Sequence, residues 1–165
     1  MEFQIIPAYD REEILALFDE YTRMLVESDE KFAYYLDIQH YEEERRDLRG
    51  KYGEPGGRLY LALAEDGAAA GCVALHRLDE ERCELKRLYV RPAYRGRGLG
   101  SALVDRVLSD ARQIGYRCIL LDTLPVLESA VRMYRGLGFY EIPCYNDSPI
   151  DRTYFFRLDL QGGAE

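Results

Sequence analysis

Apolar residues along the chain follow two spacings, one typical of strands and one typical of helices. Alternating or short apolar runs predict strands over residues 3–8, 58–65, 68–77, 84–90, 117–123, 139–145 and 153–160. Apolar residues three or four positions apart predict helices over residues 10–25, about 30–49, 99–114 and 127–137. The chain is therefore expected to run β-α-α-β-β-β-α-β-α-β-β.

Local signals mark the ends of several of these elements. Asp10 and Glu13 form a capping-box pattern at the start of the first helix. Asp66 and Gly67 predict a tight hairpin turn between the second and third strands. A further hairpin turn is expected near residues 79–82, and it would lead the chain into the fourth strand.

Length and charge narrow the class of protein. A chain of 165 residues can bury a sizeable core, and we expect one domain over residues 1–165. With 30 acidic and 22 basic residues the net charge is −8, which argues against a nucleic-acid partner. The run EEERRDLR at 42–49 predicts a solvent-exposed helix face with i,i+4 pairs. No run reaches membrane-spanning length, so we expect a cytoplasmic protein without a membrane partner.

The four cysteines indicate neither a disulfide framework nor a metal site. Cys72, Cys83, Cys118 and Cys144 are scattered, and each lies inside an apolar, strand-like run. There is no C-x-x-C pair and no metal-ligand spacing. We therefore expect buried, reduced thiols and no bound metal.

The glycine-rich turn that follows the fourth strand carries the strongest functional signal. Gly96, Gly98 and Gly100 alternate with other residues where the helix over 99–114 must begin. Glycine accepts positive φ and lets a ligand approach the backbone. The first N–H groups of a helix lack internal partners and lie at the positive end of its dipole. A strand, this turn, a helix N-terminus and nearby arginines together predict a phosphate or pyrophosphate site.

Two common phosphate-binding motifs do not fit this turn. A dinucleotide site requires G-x-G-x-x-G, but Ser101 stands where the last glycine would be. A P-loop requires G-x-x-x-x-G-K-[ST], and no such lysine follows these glycines. The six residues from Arg95 to Gly100 instead resemble motif A, [QR]-x-x-G-x-[GA], of the GNAT superfamily of N-acetyltransferases. The lead-in LYVRPAYRGRGLG and the later SAVRMYRGLGF also resemble signatures of that superfamily.

This resemblance covers essentially the whole chain and implies both fold and activity. It implies an α/β (α+β) fold with a mixed, mostly antiparallel sheet of about seven strands flanked by four helices. It further implies an acetyl-CoA-dependent N-acetyltransferase that transfers the acetyl group directly to a primary amine in a ternary complex. Acetyl-CoA would be the cosubstrate, and the acceptor would be a small-molecule amine.

The resemblance also implies which residues bind acetyl-CoA. A bulge in the strand before motif A would offer backbone N–H groups to the thioester, and the helix start would hold the pyrophosphate. The matching residues are Leu88, Tyr89, Val90, Arg95, Gly96, Arg97, Gly98, Leu99, Gly100 and Ser101. Positive charge is expected from Arg87, Arg91, Arg95 and Arg97, although exposed solubilising arginines would give the same pattern. Thr123-Leu124-Pro125 stands where many relatives place an anchoring asparagine.

Two residues are candidates for acid-base catalysis. Glu84 matches a basic carboxylate of several acetyltransferases and would accept a proton from the amine, directly or through water. The alternative is a half-exposed strand residue paired with Arg87 or Lys86. Tyr134 matches the tyrosine that would protonate the departing thiolate, but it also lies on the apolar side of its helix and could simply be packed.

Several questions stay open at this stage. His76 could line the acceptor pocket or be a hydrogen-bonded structural histidine. A non-catalytic acyl-CoA-binding module and a protein N-terminal or lysine acetyltransferase are the alternative functions. The acceptor is not identified by any pattern, and a homodimer through the C-terminal strands is one option that the sequence leaves open.

Overall fold

The computed structural model of the protein describes residues 2–150 and 152–160. Within these residues the chain forms seven β-strands: β1 (Gln4–Pro7), β2 (Arg58–Leu63), β3 (Ala69–Arg77), β4 (Arg82–Val90), β5 (Cys118–Thr123), β6 (Tyr140–Glu141) and β7 (Tyr154–Asp159). The same residues form six α-helices: α1 (Glu12–Ser28), α2 (Lys31–Ile38), α3 (Tyr41–Arg46), α4 (Leu48–Tyr52), α5 (Leu99–Ile114) and α6 (Glu128–Gly136).

The strands form one sheet in the order β1-β2-β3-β4-β5-β7-β6. Only β4 and β5 pair in parallel among the described strands, and the other neighbours are antiparallel. This confirms the predicted mixed, mostly antiparallel sheet. The strand predicted over 139–145 is shorter than expected, because Pro143 has no N–H to donate and the chain leaves the sheet after Ile142 bonds the Phe155 carbonyl at 2.8 Å.

The alternation of side chains along β2 and β3 gives the sheet two apolar faces. One face packs against α5 and α6 and is built around Leu99, Leu103, Val107, Phe139 and Phe156. The opposite face packs against α1, α3 and α4 and is built around Ile14, Phe18, Tyr41, Leu48 and Tyr52. The apolar face predicted for the helix over 99–114 is confirmed, since Leu99, Leu103, Val107 and Ala111 are buried.

The helix predicted over about 30–49 is instead three short helices, which accounts for six helices rather than the expected four. His40 has a φ of 58° and turns the chain between α2 and α3. Asp47 ends α3 and caps α4, where its Oδ1 accepts a hydrogen bond from the Gly50 N–H at 3.0 Å. These turns bring Gln39 and Glu44 over β4, where both bind Arg87.

The capping box predicted at the start of α1 does not form. Arg11 is the N-cap residue and makes no side-chain capping bond. Glu13 is held by the Arg11 guanidinium at 2.8 Å, and Asp10 accepts a hydrogen bond from Arg49 at 2.8 Å. The two acidic side chains are therefore used in ion pairs with nearby arginines.

Arg87 and Glu44 form a buried ion pair that the sequence did not indicate. The Arg87 Nε and Nη2 atoms donate to the two Glu44 carboxylate oxygens, each at 2.9 Å. Lys51 Nζ and the Tyr52 hydroxyl also donate to this carboxylate, at 3.0 and 2.8 Å. The prediction of a solvated face over 42–49 is thus wrong at Glu44, whose side chain is 1% exposed.

Three of the four cysteines are the buried thiols that the sequence predicted, namely Cys72, Cys83 and Cys118. Cys144 is exposed, because it lies in the segment that has already left the sheet after β6. All four carry free thiols. Among the described helices, none has the length and apolarity needed to cross a bilayer.

Replacing Glu44 by Gln should strongly destabilise the protein, because Arg87 would stay buried without its charge partner. We expect a loss of about 3–5 kcal/mol in the free energy of unfolding, measured by urea denaturation. Glu42→Gln is the matched control, since Glu42 lies on the same helix, is 68% exposed and approaches Arg45 only to 3.9 Å. Equal stability of the two variants would show that the buried pair does not hold the fold.

The same carboxylate should make stability sensitive to acid. Burial alone would raise the pKa of Glu44, but Arg87 and Lys51 lower it from 4.5 to about 2. Stability from this group is fully present above its unfolded pKa and is lost as the pH falls through its folded pKa. Between pH 5 and pH 2.5, the wild type should therefore lose more stability than Glu44→Gln in urea titrations; parallel losses would contradict this.

Candidate active site

Strand β4 parts from β5 immediately after Glu84. The parallel pairing covers only residues 82–84 of β4, which lie opposite residues 118–120 of β5. From Leu85 onward, the edge of β4 that faces β5 carries no strand pairing in the described chain. The opening between the two strands gives a ligand access to backbone groups in the middle of the sheet.

A β-bulge lies beside this opening. Opposite Val73, β4 carries two residues, Arg87 and Leu88, because Cys72 pairs with Tyr89 while Ala74 pairs with Lys86. Arg87 has a φ of 59°, a left-handed conformation that costs a non-glycine residue about 1–2 kcal/mol. The bulge that the family resemblance implied is therefore present, and it begins one residue before Leu88.

A cleft of about 640 Å³ lies along this opening and reaches the start of α5. Its lining includes the residues predicted to bind the cosubstrate, with one exception: Leu88, Tyr89, Val90, Arg95, Gly96, Gly98, Leu99, Gly100 and Ser101. Arg97 is exposed and does not line the cleft. Gly96 and Gly98 have φ values of 77° and 80°, which explains why glycine occupies both positions.

Two of the four arginines expected to supply positive charge are neutralised elsewhere. Arg87 is buried against Glu44. Arg91 binds Glu20 with Nη2 to Oε2 at 2.6 Å, and its Nη1 donates to the Ala69 carbonyl at 3.0 Å. Arg95 does line the cleft, where its Nε donates to the Val90 carbonyl at 2.9 Å. The expectation that all four arginines serve the cofactor is thus wrong for Arg87 and Arg91.

A small cavity of about 40 Å³ adjoins the inner end of the cleft and is lined in part by Tyr134. No described residue hydrogen-bonds the Tyr134 hydroxyl. Every fully buried polar side-chain atom of the described chain has a hydrogen-bond partner, so the Tyr134 hydroxyl is not fully buried. Because Tyr134 lines this cavity, we infer that its hydroxyl faces it. Burial raises the pKa of Tyr134 above its ordinary value, with a further contribution from Tyr21. The hydroxyl is therefore protonated at neutral pH and can donate a hydrogen bond.

A pocket of about 540 Å³ lies on the far side of this cavity and contains Glu84. The Glu84 carboxylate accepts a hydrogen bond from the Tyr145 hydroxyl at 2.6 Å and lies 3.2 Å from His76 Nδ1. Lys86 Nζ is 4.0 Å away. The alternative of a half-exposed residue paired with Arg87 or Lys86 holds only for Lys86, since Glu84 is buried and Arg87 binds Glu44.

The surroundings of Glu84 keep it ionised. Burial alone would raise its pKa, but the charge of Lys86 and the hydrogen bonds of His76 and Tyr145 lower it to about 2. A carboxylate with so low a pKa holds a proton weakly near neutral pH. It is better suited to orient or stabilise a neighbouring cation than to remove a proton by itself.

The three cavities share walls. Tyr21, Leu25, Leu88, Leu127 and Ala130 line both the cleft and the small cavity. Tyr35, Gln39 and Lys86 line both the small cavity and the pocket of Glu84. The three cavities are therefore neighbours along the opening in the sheet, and the cavity of Tyr134 lies between the cleft and the pocket of Glu84.

Several residues of this site were not found from the sequence. Gln39 and Glu44 belong to the interrupted second helix, Lys51 lies just beyond the predicted helix in α4, and none of the three had a distinguishing pattern. Tyr145 lies beyond β6, where a longer strand was predicted. His76 both lines the pocket and hydrogen-bonds Glu84, so the two interpretations left open for it hold together.

Comparison with known proteins agrees with this geometry. The profile of the Acetyltransferase (GNAT) family matches residues 14–139. An uncharacterized N-acetyltransferase of Schizosaccharomyces pombe is 37% identical over 143 residues, which cover 86% of this chain and 88% of that protein. The chain belongs to the GNAT acetyltransferase family. It is an acetyl-CoA-dependent N-acetyltransferase.

Two further matches to this GNAT protein bear on fold and acceptor. A GNAT-family acetyltransferase structure from Staphylococcus aureus superposes with a TM-score of 0.76 at 22% identity, covering 96% of this chain and 99% of that one. N-acetylaspartate synthetase of Danio rerio is 31% identical over 141 residues, which cover 76% of this chain but 50% of the synthetase. The first match shows the fold, which is the one that the sequence predicted.

The glycine turn of this GNAT protein gives a test of cofactor binding. A Cβ at Gly98 would meet nothing within 4 Å, so Gly98→Ala would act through its positive φ alone. We expect about 1–2 kcal/mol of destabilisation and an acetyl-CoA Kd raised about tenfold, measured by calorimetry. Gly67→Ala is the control, because Gly67 has a φ of 86° and equally open surroundings in the β2–β3 turn. Equal acetyl-CoA affinity of both variants would contradict the assignment of this turn.

Proposed function

We propose that the protein transfers the acetyl group of acetyl-CoA directly to a primary amine of a small-molecule acceptor. The position of the small cavity between the cleft and the pocket of Glu84 supports this proposal. Acetyl-CoA would lie in the cleft with its pyrophosphate at residues 95–101, and the acceptor would lie in the pocket of Glu84. The thioester would then reach the cavity of Tyr134, where both substrates meet in a ternary complex.

Backbone N–H groups of Leu88, Tyr89 and Val90 are the proposed partners of the thioester carbonyl. Oriented N–H groups stabilise the oxyanion that develops when an amine attacks a carbonyl carbon. The bulge and the unpaired edge of β4 support this assignment, because both free backbone groups at the inner end of the cleft. The side chains of Leu88 and Val90 pack against the apolar face of α5 and would take no part.

Tyr134 and Glu84 would act at the two ends of the reaction. The Tyr134 hydroxyl would donate a hydrogen bond to the sulfur of coenzyme A as the carbon–sulfur bond breaks. Glu84, kept ionised, would stabilise positive charge that arises on the acceptor side. The pocket volume of about 540 Å³ supports a small molecule as acceptor, and the similarity to N-acetylaspartate synthetase makes amino acids the first class to test.

The chain as a whole is proposed to be a single GNAT domain over residues 1–165. A cytoplasmic location and a homodimer through the C-terminal strands stay predictions. Neither enters the chemistry proposed above.

Tyr134→Phe tests the function directly. Release of free thiol from acetyl-CoA is measured with L-aspartate and the other amino acids, polyamines, amino sugars and a lysine-containing peptide. We expect turnover with one small amine, and a loss of about 10²-fold or more in kcat for Tyr134→Phe with an unchanged acetyl-CoA Kd. Loss of the hydroxyl would remove the hydrogen bond to the leaving thiolate while the ring still packs.

Tyr154→Phe is the matched control for this variant. Tyr154 belongs to the same aromatic cluster, 5.9 Å from Phe156, but it lines none of the three cavities. Tight acetyl-CoA binding without thiol release from any amine would favour a non-catalytic binding module. Turnover with the peptide alone would favour a protein acetyltransferase.

A further inference from the structure

His76 lies directly opposite Glu84 in the β3–β4 hairpin. The two residues are register partners, so their side chains project from the same face of the sheet. Glu84 is also the last residue of β4 that pairs with β5. His76 therefore lies at the entrance to the opening in the sheet, and it lines the proposed acceptor pocket with 28% of its side chain exposed.

The hydrogen bond between the two side chains determines which imidazole nitrogen is free. An ionised carboxylate can only accept hydrogen bonds. Because the pKa of Glu84 is lowered to about 2, its oxygen accepts from His76 Nδ1, which must then carry the proton. In the neutral ring the lone pair is on Nε2. No described residue hydrogen-bonds Nε2, while the ring is held by an edge contact with Tyr52 at 6.2 Å between centroids.

We propose that His76, oriented by Glu84, is the base that accepts the proton of the acceptor amine. This inference rests on the proposed function and identifies the group that performs its first proton transfer. Glu84 becomes a positioning residue, which holds the Nδ1–H tautomer and stabilises the imidazolium. Tyr145 in turn fixes the second oxygen of Glu84 at 2.6 Å.

The protons and electron pairs balance through this arrangement. The ammonium of the acceptor gives one proton to His76 Nε2, and its nitrogen lone pair then forms a bond to the thioester carbon. The carbon–sulfur bond breaks, and its electron pair leaves with the sulfur. The nitrogen loses its second proton, which ends on the thiolate, where the Tyr134 hydroxyl donates a hydrogen bond. The imidazolium returns its proton to water through the open pocket.

Other titratable groups contact His76 or line the same pocket and are its competitors as the base. They are Glu84 and Lys86 of β4, Lys51 and Tyr52 of α4, Glu43 and Glu44 of α3, Tyr35 of α2, His40 and Asp47 at the helix junctions, and Tyr145 and Asp147 after β6. Lys51 is the main competitor, because burial, with Lys86 adding to it, lowers its pKa from 10.5 to about 8. However, Lys51 Nζ is occupied in donating to Glu44 at 3.0 Å.

The first experiment determines the tautomer of the His76 ring in the protein without an acceptor amine. The chain has two histidines, so His40→Asn assigns the His76 ring signals in long-range ¹H–¹⁵N spectra of labelled protein. We expect an Nδ1–H ring for His76, and a changed tautomer or ring shift in Glu84→Gln. An Nε2–H ring in the wild type would overturn the proposal.

The second experiment measures catalysis with the amine that gives the highest rate in the thiol-release screen. In His76→Gln, the glutamine side chain can still donate a hydrogen bond to Glu84, but it has no basic nitrogen that could accept a proton. We expect kcat/KM at pH 7 to fall about 10²-fold or more, and the fall to shrink as the pH rises and more free amine is present. In His76→Ala, added imidazole should restore part of the rate.

Two controls keep the outcomes distinct. Arg77→Gln removes a charge directly beside His76, at a side chain that is 49% exposed, contacts Glu80 and lines none of the three cavities, and it should keep the wild-type rate and pH profile. Thermal unfolding checks that each variant is folded. If His76→Gln keeps the wild-type pH profile of kcat/KM, or if Lys51→Arg rather than His76→Gln changes that profile, the proposal is wrong. Absence of turnover in the wild type would instead reject the proposed function itself.

Discussion

A buried ion pair between Arg87 and Glu44 holds β4 in the shape on which the rest of the site depends. An unpaired charge of this kind is costly to bury, so the guanidinium requires the carboxylate, and the carboxylate requires the guanidinium. The pair fixes a strand residue in a left-handed conformation and ties the interrupted second helix to the middle of the sheet. Its two hydrogen bonds therefore help to offset the strain of the bulge.

The bulge has two consequences for the site. It adds a residue to β4, so Lys86 and Tyr89 share a face although they are an odd number of positions apart. Leu88 and Val90 are then directed toward α5, where they line the cleft together with the glycine turn. One inserted residue thus separates a polar pocket around Glu84 and Lys86 from an apolar cleft that ends at a helix N-terminus.

The sequence predicted the elements whose pattern is local and strong. The alternation in β2 and β3, the apolar face of α5 and the glycines at 96 and 98 each follow from short-range spacing, and each is present in the structure. The hairpin turn expected near 79–82 missed the pairing of His76 with Glu84 by one residue, because turn residues 79–82 would place His76 opposite Leu85. A shift of one residue reverses the face on which a side chain lies, so counting outward from that turn would not have joined the two candidates.

The residues that sequence analysis misjudged depend on partners far along the chain. Glu44 lies in a run of charges that is indistinguishable from a solvated helix face, and only Arg87, 43 residues later, makes its burial favourable. Arg91 is equally indistinguishable from a phosphate ligand until Glu20, 71 residues earlier, is found to bind it. A charged side chain has no spacing of its own that reveals its partner, whereas an apolar face does.

The dependence of charged groups on distant partners also explains the different roles of Glu84 and His76. The family resemblance singled out Glu84, but whether a carboxylate acts as a base depends on what surrounds it. Here Lys86, Tyr145 and His76 all stabilise the ionised form. They lower the pKa of Glu84 and so make it a weak base. The imidazole that contributes to this stabilisation gains a fixed tautomer in return. A buried anion beside an open pocket is therefore most useful through the neighbour that it orients, and the cross-strand register of β3 and β4 places that neighbour where the sheet opens.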